Sequence, residues 1–328
     1  MTIRIAVNGF GRIGRNVFRA SLANPDLEIV AVNDLAPAST LAHLLRYDST
    51  LGRFGHPVEA YDDHLVVGGR RVEVTSFRDI SDISWKEVDV VVEATGKFTA
   101  DARSHLAAGA RKVLVSAPAK GADITIAYGL NHGDYDPERH DVVSNASCTT
   151  NGLAPVASVL DDLAGIEQGS MTTIHAYTQE QNLQDGPHRD LRRARAAALN
   201  IAPTTTGAAT AIGQVLPRLD GRLRGYSVRV PVPVGSLVEL NALVNRDVTV
   251  EEVNSAFEAA AAGPLRGILE FSTDPLVSSD ITGNPASSIF DSLLTSVQGR
   301  LVKVVAWYDN EWGFANRVVD TLALIGRG

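Results

Sequence analysis

The residues Gly9-Phe10-Gly11-Arg12-Ile13-Gly14 constrain the fold of this chain more than any others. They match the pattern GxGxxG, which is weak alone because glycine-rich turns are common. Here it follows Ile3–Val7, a β-branched run that reads as a buried strand, and opens a helical pattern over Arg12–Leu22. Strand, glycine turn and helix in that order form the setting in which such a loop binds a dinucleotide. The glycines permit a tight turn and close backbone approach. The helix N-terminus offers free amides and a partial positive charge to the pyrophosphate.

A second strand, Glu28–Asn33, ends at Asp34, 20 residues beyond Gly14. A carboxylate there can accept hydrogen bonds from the adenosine ribose. It would repel the 2′-phosphate of NADP, so NAD is the expected cofactor. The competing reading is a structural turn with a capping aspartate. The alternation of strands and helices continues through Val88–Val92, a helix of Ala and His ending near Gly109, and Val113–Ser116. A hairpin at Gly68–Gly69, between Leu65–Val67 and Arg71–Val74, interrupts it. The pattern predicts an α/β, Rossmann-type doubly wound domain.

With 328 residues the chain is too long for one core, so two domains are expected. The character changes at Cys148. A helix to Leu163 and a strand over Met171–His175 are followed by a polar stretch, Tyr177 to Asn200, that carries four arginines. Connections of that length usually have a function. Ser227–Val232 and Leu237–Val244 read as strands, and Glu251–Ala262 as a helix. They point to an α+β unit with a mostly antiparallel sheet. The expected division is 1–147 and 148–311, with a C-terminal helix at 312–328 packing back on the first domain.

Hydrophobic residues at 45% and charged residues at 21% are globular proportions and exclude disorder. A net charge of −8 argues against nucleic acid or anionic membranes as partners. Any phosphate must therefore be held by a local cationic site. The first residues lack the apolar run of a signal peptide, and no stretch has the length of a bilayer span. Cys148 is the sole cysteine, so no intrachain disulfide forms. These features favour the cytosol.

A lone cysteine is more often a small buried hydrophobe than a nucleophile. The setting of Cys148 argues otherwise. Ser144-Asn145-Ala146-Ser147-Cys148-Thr149-Thr150-Asn151 is a polar turn directly before an amphipathic helix. A helix N-terminus stabilises a thiolate, so an acidic thiol is expected. His175, at the end of a strand, is the candidate imidazolium partner and base, although alone it reads as structural.

Ser144–Asn151 resembles the active-site signature of glyceraldehyde-3-phosphate dehydrogenases. So do Asn8–Arg15, Tyr47-Asp48-Ser49, Ser116–Gly121, Asp190–Arg195, Pro203–Ala209, Arg229-Val230-Pro231 and Trp307–Gly313, all in family order. The resemblance implies that Cys148 attacks an aldehyde and that His175 takes its proton during hydride transfer. Inorganic phosphate then cleaves the resulting thioester. It implies a substrate-phosphate site at Thr178 and Arg229, with Arg193 as a helper, and an inorganic-phosphate site at Ser147, Thr149 and Thr206. Arg229 lies between the two. Besides Gly9 to Gly14, the implied NAD contacts are Asn33, Asp34, Arg78, Thr95, Gly96, Ser116 and Asn310. Gly186–Pro187 resembles the NAD-preferring form of a long loop that reaches a neighbouring subunit, which implies a homotetramer.

Two positions depart from the family pattern: Gly152, where a second cysteine is usual, and Phe314, where tyrosine is usual. Two rival readings remain at this point. Erythrose-4-phosphate dehydrogenases share the cysteine signature, and Trp312-Gly313-Phe314-Ala315-Asn316 follows their spelling. Thr178 and Thr206-Gly207-Ala208-Ala209 follow the glyceraldehyde-3-phosphate pattern. A catalytically silent NAD-binding regulator needs the glycine loop but neither Cys148 with His175 nor two anion sites.

Overall fold

A computed structural model describes residues 2–327 and divides them into two compact units. The first comprises residues 2–128, 132–146 and 315–327; the second comprises 129–131 and 147–314. Ser147, expected in the first domain, goes with the second, because its side chain caps the helix that follows it. The final helix, Trp312–Ile325, begins in the second unit, and its residues from Ala315 onward belong to the first.

The first unit is built on a nine-stranded sheet. From one edge its strands are Ile124–Thr125, Val142–Ser144, Lys112–Val115, Val90–Glu93, Ile3–Asn8, Leu27–Asn33 and Arg70–Thr75, all parallel. His64–Val67 and Val58–Ala60 extend it antiparallel, as the hairpin glycines require: Gly68 and Gly69 have φ of +57° and +85°. The central strands are apolar on both faces, as a parallel sheet covered by helices demands. Strand order reverses on either side of Ile3–Asn8, so a crevice opens at the carboxyl ends of Asn8, Asn33 and Glu93. The expected Ala and His helix is a single turn, Ser104–Ala107.

The second unit has a mixed sheet. Its order is Ala202–Thr204, Leu223–Val230, Ile166–Ala176, Ser236–Val244, Leu301–Tyr308, Ser288–Asp291 and Leu269–Ser272, with Ser296–Gln298 also on Leu301–Tyr308. Most pairings are antiparallel, but Ile166–Ala176 with Leu223–Val230, and Leu269–Ser272 with Ser288–Asp291, run parallel. Leu301–Tyr308, a central strand, was not singled out in the sequence. Its run of Val, Ala and aromatic residues has neither strict alternation nor flanking glycines close enough on both sides to mark it. The helix Cys148–Ala164 packs against this unit with nearly its whole surface buried.

The helix Arg12–Ser21 buries Gly14, Val17, Phe18 and Ala20, and also Asn16, which is 1% exposed. Neither amide atom of Asn16 has a partner among the described residues. An unsatisfied buried amide costs about 1–3 kcal/mol. Asn16→Leu, of similar volume, is therefore expected to stabilise the protein by about 1 kcal/mol and to raise Tm by roughly 2 °C. A thermal melt in which the variant unfolds earlier would show that Asn16 has a hydrogen-bonded role.

Candidate active site and dinucleotide site

The glycine loop takes its shape from steric necessity. Gly9 has φ +94°, and a Cβ there would lie 2.7 Å from the Thr95 nitrogen. A Cβ on Gly14 would lie 2.1 Å from the Gly9 carbonyl oxygen, whereas the space beside Gly11 is open. The helix that follows has no side-chain cap and no acidic residue in its first turn. Its amides are thus left for an anion. This cradle fits a dinucleotide pyrophosphate.

Around it, Asp34 Oδ2 accepts from the Phe10 amide at 2.9 Å and Oδ1 from the Ala36 amide at 3.0 Å. Asp34, expected to accept from the ribose, is therefore a strut of the glycine loop. Each carboxylate oxygen keeps a further lone pair. Arg12 is held by Asp48 and by Thr50 Oγ1 at 2.6 Å. Ile13 and Thr95 are half-buried, Gly96 is at φ +70°, and Arg78 is exposed. Ser116 donates to the Glu93 carbonyl at 3.0 Å. Asn33, expected as a cofactor contact, is buried with its amide spent on Asn8, Thr75 and Phe77. It braces the crevice instead of facing it. Asn310 belongs to the second unit, where its Oδ1 accepts from Gly235 N and Ser236 Oγ.

In the second unit Ser147 opens the helix Cys148–Ala164, its hydroxyl accepting from the Thr150 amide at 3.0 Å. Ala146, before it, is a non-glycine residue at φ +56° and is fully buried. That left-handed conformation is strained. It turns the chain so that Cys148 becomes the first helical residue. No pattern in the sequence flagged Ala146.

Cys148 Sγ lies 3.4 Å from His175 Nε2. His175 sits directly opposite Arg229 in the parallel strand register. Arg229 Nη1 lies 2.5 Å from His175 Nδ1 and donates to the Ala176 carbonyl at 2.9 Å. Arg229 Nε has no partner among the described residues, although the side chain is largely buried. This guanidinium has capacity to spare for an anion.

Electrostatics correct one expectation. Burial, the largest influence, pushes the Cys148 thiol up; the Arg229 cation, the Thr149 hydroxyl and the backbone amides oppose it only in part. The thiol is thus not acidic by virtue of its helix position alone. Burial and the Arg229 charge lower His175 to about 3. The imidazole is neutral, and the same burial and Arg229 charge make it a weak base while Arg229 stays beside it.

Thr149 is tied to the Tyr308 hydroxyl at 2.9 Å, and Tyr308 also meets Thr173 Oγ1 at 2.7 Å. Tyr308, buried at this junction, links Thr149 to Thr173. A Cβ on Gly152 would stand 3.0 Å from the Tyr308 ring, so any side chain there would press on it. Phe314 is buried. Thr178 lies near the start of the long loop, with its amide 3.4 Å from Gln181 Oε1, and Thr206 Oγ1 accepts from the Ala208 amide at 3.2 Å. Arg193 is bound to Glu180 and donates to Thr204 Oγ1 at 2.9 Å. It is thus partly neutralised by carboxylates. Among the described residues no group of three or more His, Cys, Asp and Glu side chains could hold a metal ion.

A nucleotide-binding α/β unit with a cysteine–histidine–arginine centre in its companion unit describes a dehydrogenase that works through a covalent thiol. Family models match both parts: the glyceraldehyde 3-phosphate dehydrogenase NAD binding domain over residues 3–101, and the C-terminal domain over 147–310. The chain is 69% identical over 327 residues to the glyceraldehyde-3-phosphate dehydrogenase of Kitasatospora aureofaciens, covering 98% of each. It is 57% identical to that of Geobacillus stearothermophilus, covering 99% of this chain and 98% of the other. It is 56% identical to that of Mycobacterium avium, covering 100% and 99%. The chain belongs to the glyceraldehyde-3-phosphate dehydrogenase family, and its cofactor is NAD.

Proposed function

We infer that this enzyme oxidises D-glyceraldehyde 3-phosphate to 1,3-bisphosphoglycerate, with Cys148 as nucleophile and His175 as base. The observation that carries the assignment of roles is the chain of contacts Cys148–His175–Arg229. His175 has two competing partners at Nδ1: the Ala176 carbonyl at 2.7 Å, which requires a proton there, and Arg229, which requires the lone pair. When Arg229 turns to a substrate phosphate, Nδ1–H pairs with the carbonyl and the Nε2 lone pair faces Sγ. His175 then takes the thiol proton as Sγ adds to the aldehyde, returns it to the alkoxide to give the thiohemiacetal hydroxyl, and takes it back as the hydride leaves. NAD, when bound, supplies the hydride acceptor. The thioester left on Cys148 retains enough free energy for inorganic phosphate to cleave it to an acyl phosphate.

Thr178 and Arg229, with Arg193 assisting, serve the substrate phosphate; Ser147, Thr149 and Thr206 serve the attacking phosphate. Hydroxyls and a fork-shaped guanidinium suit phosphate geometry. In the first unit Gly9 to Gly14, Asp34, Thr95, Gly96, Ser116 and Arg78 hold NAD.

Arg229→Ala is expected to lower kcat/KM for the phosphorylated aldehyde roughly 10- to 150-fold more than for glyceraldehyde, the range of one charge-assisted hydrogen bond. Equal losses on the two substrates would assign Arg229 a structural role.

A homotetramer is the proposed assembly. In the long loop and just beyond it, Leu183, Leu191, Leu199 and Ile201 are 72–82% exposed, a concentration that suits cover by another subunit. Among the described residues no helix is long and apolar enough to cross a membrane. A cytosolic setting suits an enzyme whose single thiol must stay reduced.

A further inference from the structure

Glu93 ends the strand Val90–Glu93, level with Asn8 on one neighbour and Val115 on the other. It is 1% exposed, and the chemistry above does not use it. A buried carboxylate is costly unless donors surround it. Here Oε2 accepts from Asn8 Nδ2 at 2.6 Å and lies 3.0 Å from His105 Nε2. Oε1 accepts from the Thr95 amide at 2.8 Å and from the Thr95 hydroxyl. Trp85 Nε1, which can only donate, sits 2.9 Å from His105 Nδ1. The His105 proton is therefore on Nε2 and points at Glu93.

The cluster reaches further. Asn8 Oδ1 accepts from Asn33 Nδ2 at 2.8 Å, and Asn33 Oδ1 accepts from the Phe77 amide at 2.8 Å. Backbone bonds close the frame: Gly9 N–H to the Asn33 carbonyl and Ala94 N–H to the Asn8 carbonyl, both 2.8 Å. The Gly9 loop and the Thr95 segment touch backbone to backbone, with no room for a Cβ between them.

All four donors converge on one group that can only accept. Glutamine at this position would turn an amide N–H against a donor, and aspartate would be a methylene short. Stability alone calls for no such cluster, since apolar residues pack strand interiors as well or better. The cluster lies where the sheet opens to the crevice, and the glycine loop, the Asn33–Asp34 strand end and the Thr95–Gly96 turn all hang from it. We propose that Glu93 is a positioning residue for NAD, holding the glycine loop and the Thr95–Gly96 turn at the separation the dinucleotide requires. This rests on the reading of those two segments as cofactor contacts.

Calorimetric titration of NAD into the full chain tests the proposal. Glu93→Gln is expected to weaken binding roughly 10- to 100-fold, the range for mispairing a buried hydrogen-bonded group. Its kcat at saturating NAD should stay within about threefold of the parent, and its KM for the aldehyde should hold. Asn8→Ala cuts the same frame without setting donor against donor, and should weaken NAD roughly threefold or more. Far-UV circular dichroism gives the folded fraction in each sample. If both variants bind NAD as tightly as the parent, the proposal is wrong. It is equally wrong if losses in kcat, in aldehyde affinity and in folded fraction move together, as for plain misfolding. Thr95→Ala separates the underlying reading. Unchanged NAD affinity there removes the cofactor contact and the proposal with it. Weakened affinity there, with unchanged affinity in the other two variants, overturns the positioning role alone.

Discussion

One equivalent of iodoacetamide per chain is expected to abolish dehydrogenase activity, and Cys148→Ser to do the same. Cys148 is the sole thiol, so a single added mass accounts for the whole loss. His175→Asn should lower kcat about 100-fold or more, the usual contribution of a general base. The pH dependence of alkylation separates the two roles. Burial raises the thiol, so the reactive thiolate is absent at low pH and forms as pH rises. His175, lowered to about 3 by burial and the Arg229 charge, is neutral throughout the ordinary working range and gains the strength to take the thiol proton at Nε2 when a phosphate draws Arg229 away. Without that acceptor the proton must leave to solvent, and in His175→Asn the rise in alkylation rate measured with inorganic phosphate present should move to higher pH. Full activity after complete modification of Cys148 would end the covalent mechanism. An unshifted alkylation profile in His175→Asn would remove His175 from the role of base.

Cofactor choice should be almost as lopsided. Asp34 sits at the end of the second strand with its carboxylate turned to the glycine loop. A 2′-phosphate ~4 Å away, at an effective dielectric of ~20, would be disfavoured by about 4 kcal/mol, an upper range near 1000-fold. NAD is therefore expected to exceed NADP in kcat/KM by up to that factor. Asp34→Gly with Pro187→Ser should narrow the gap by removing the repulsion and admitting the phosphate. The structure adds a cost that charge alone does not foresee. Asp34 also accepts from the Phe10 and Ala36 amides, so the double variant should lose NAD affinity while it gains NADP. Asp34→Asn keeps one acceptor oxygen and should lose less. Equal kcat/KM with both cofactors in the unmodified enzyme would refute the argument from Asp34.

What could be read from the sequence was whatever depends on near neighbours in the chain. Gly9 and Gly14 are required where a Cβ would strike backbone, and that steric demand leaves a local trace in GxGxxG. Cys148 announces itself because a polar turn runs straight into an apolar helix face, and the hairpin at Gly68–Gly69 because both residues need positive φ. His175 was a candidate from its strand end, and family resemblance then supplied Arg229, whose chain separation of 54 residues from His175 hides their contact. Their pairing comes from the register of two parallel strands. The tertiary structure alone decided the rest. Asn33 turned inward because its partners Asn8, Thr75 and Phe77 come from three segments. Glu93, 85 residues from Asn8, became buried only when its donors were assembled around it. The thiol moved up because desolvation depends on everything packed around a group and outweighs the helix start that the sequence displays. Local sterics are written along the chain; burial and long-range pairing exist only once the chain has folded.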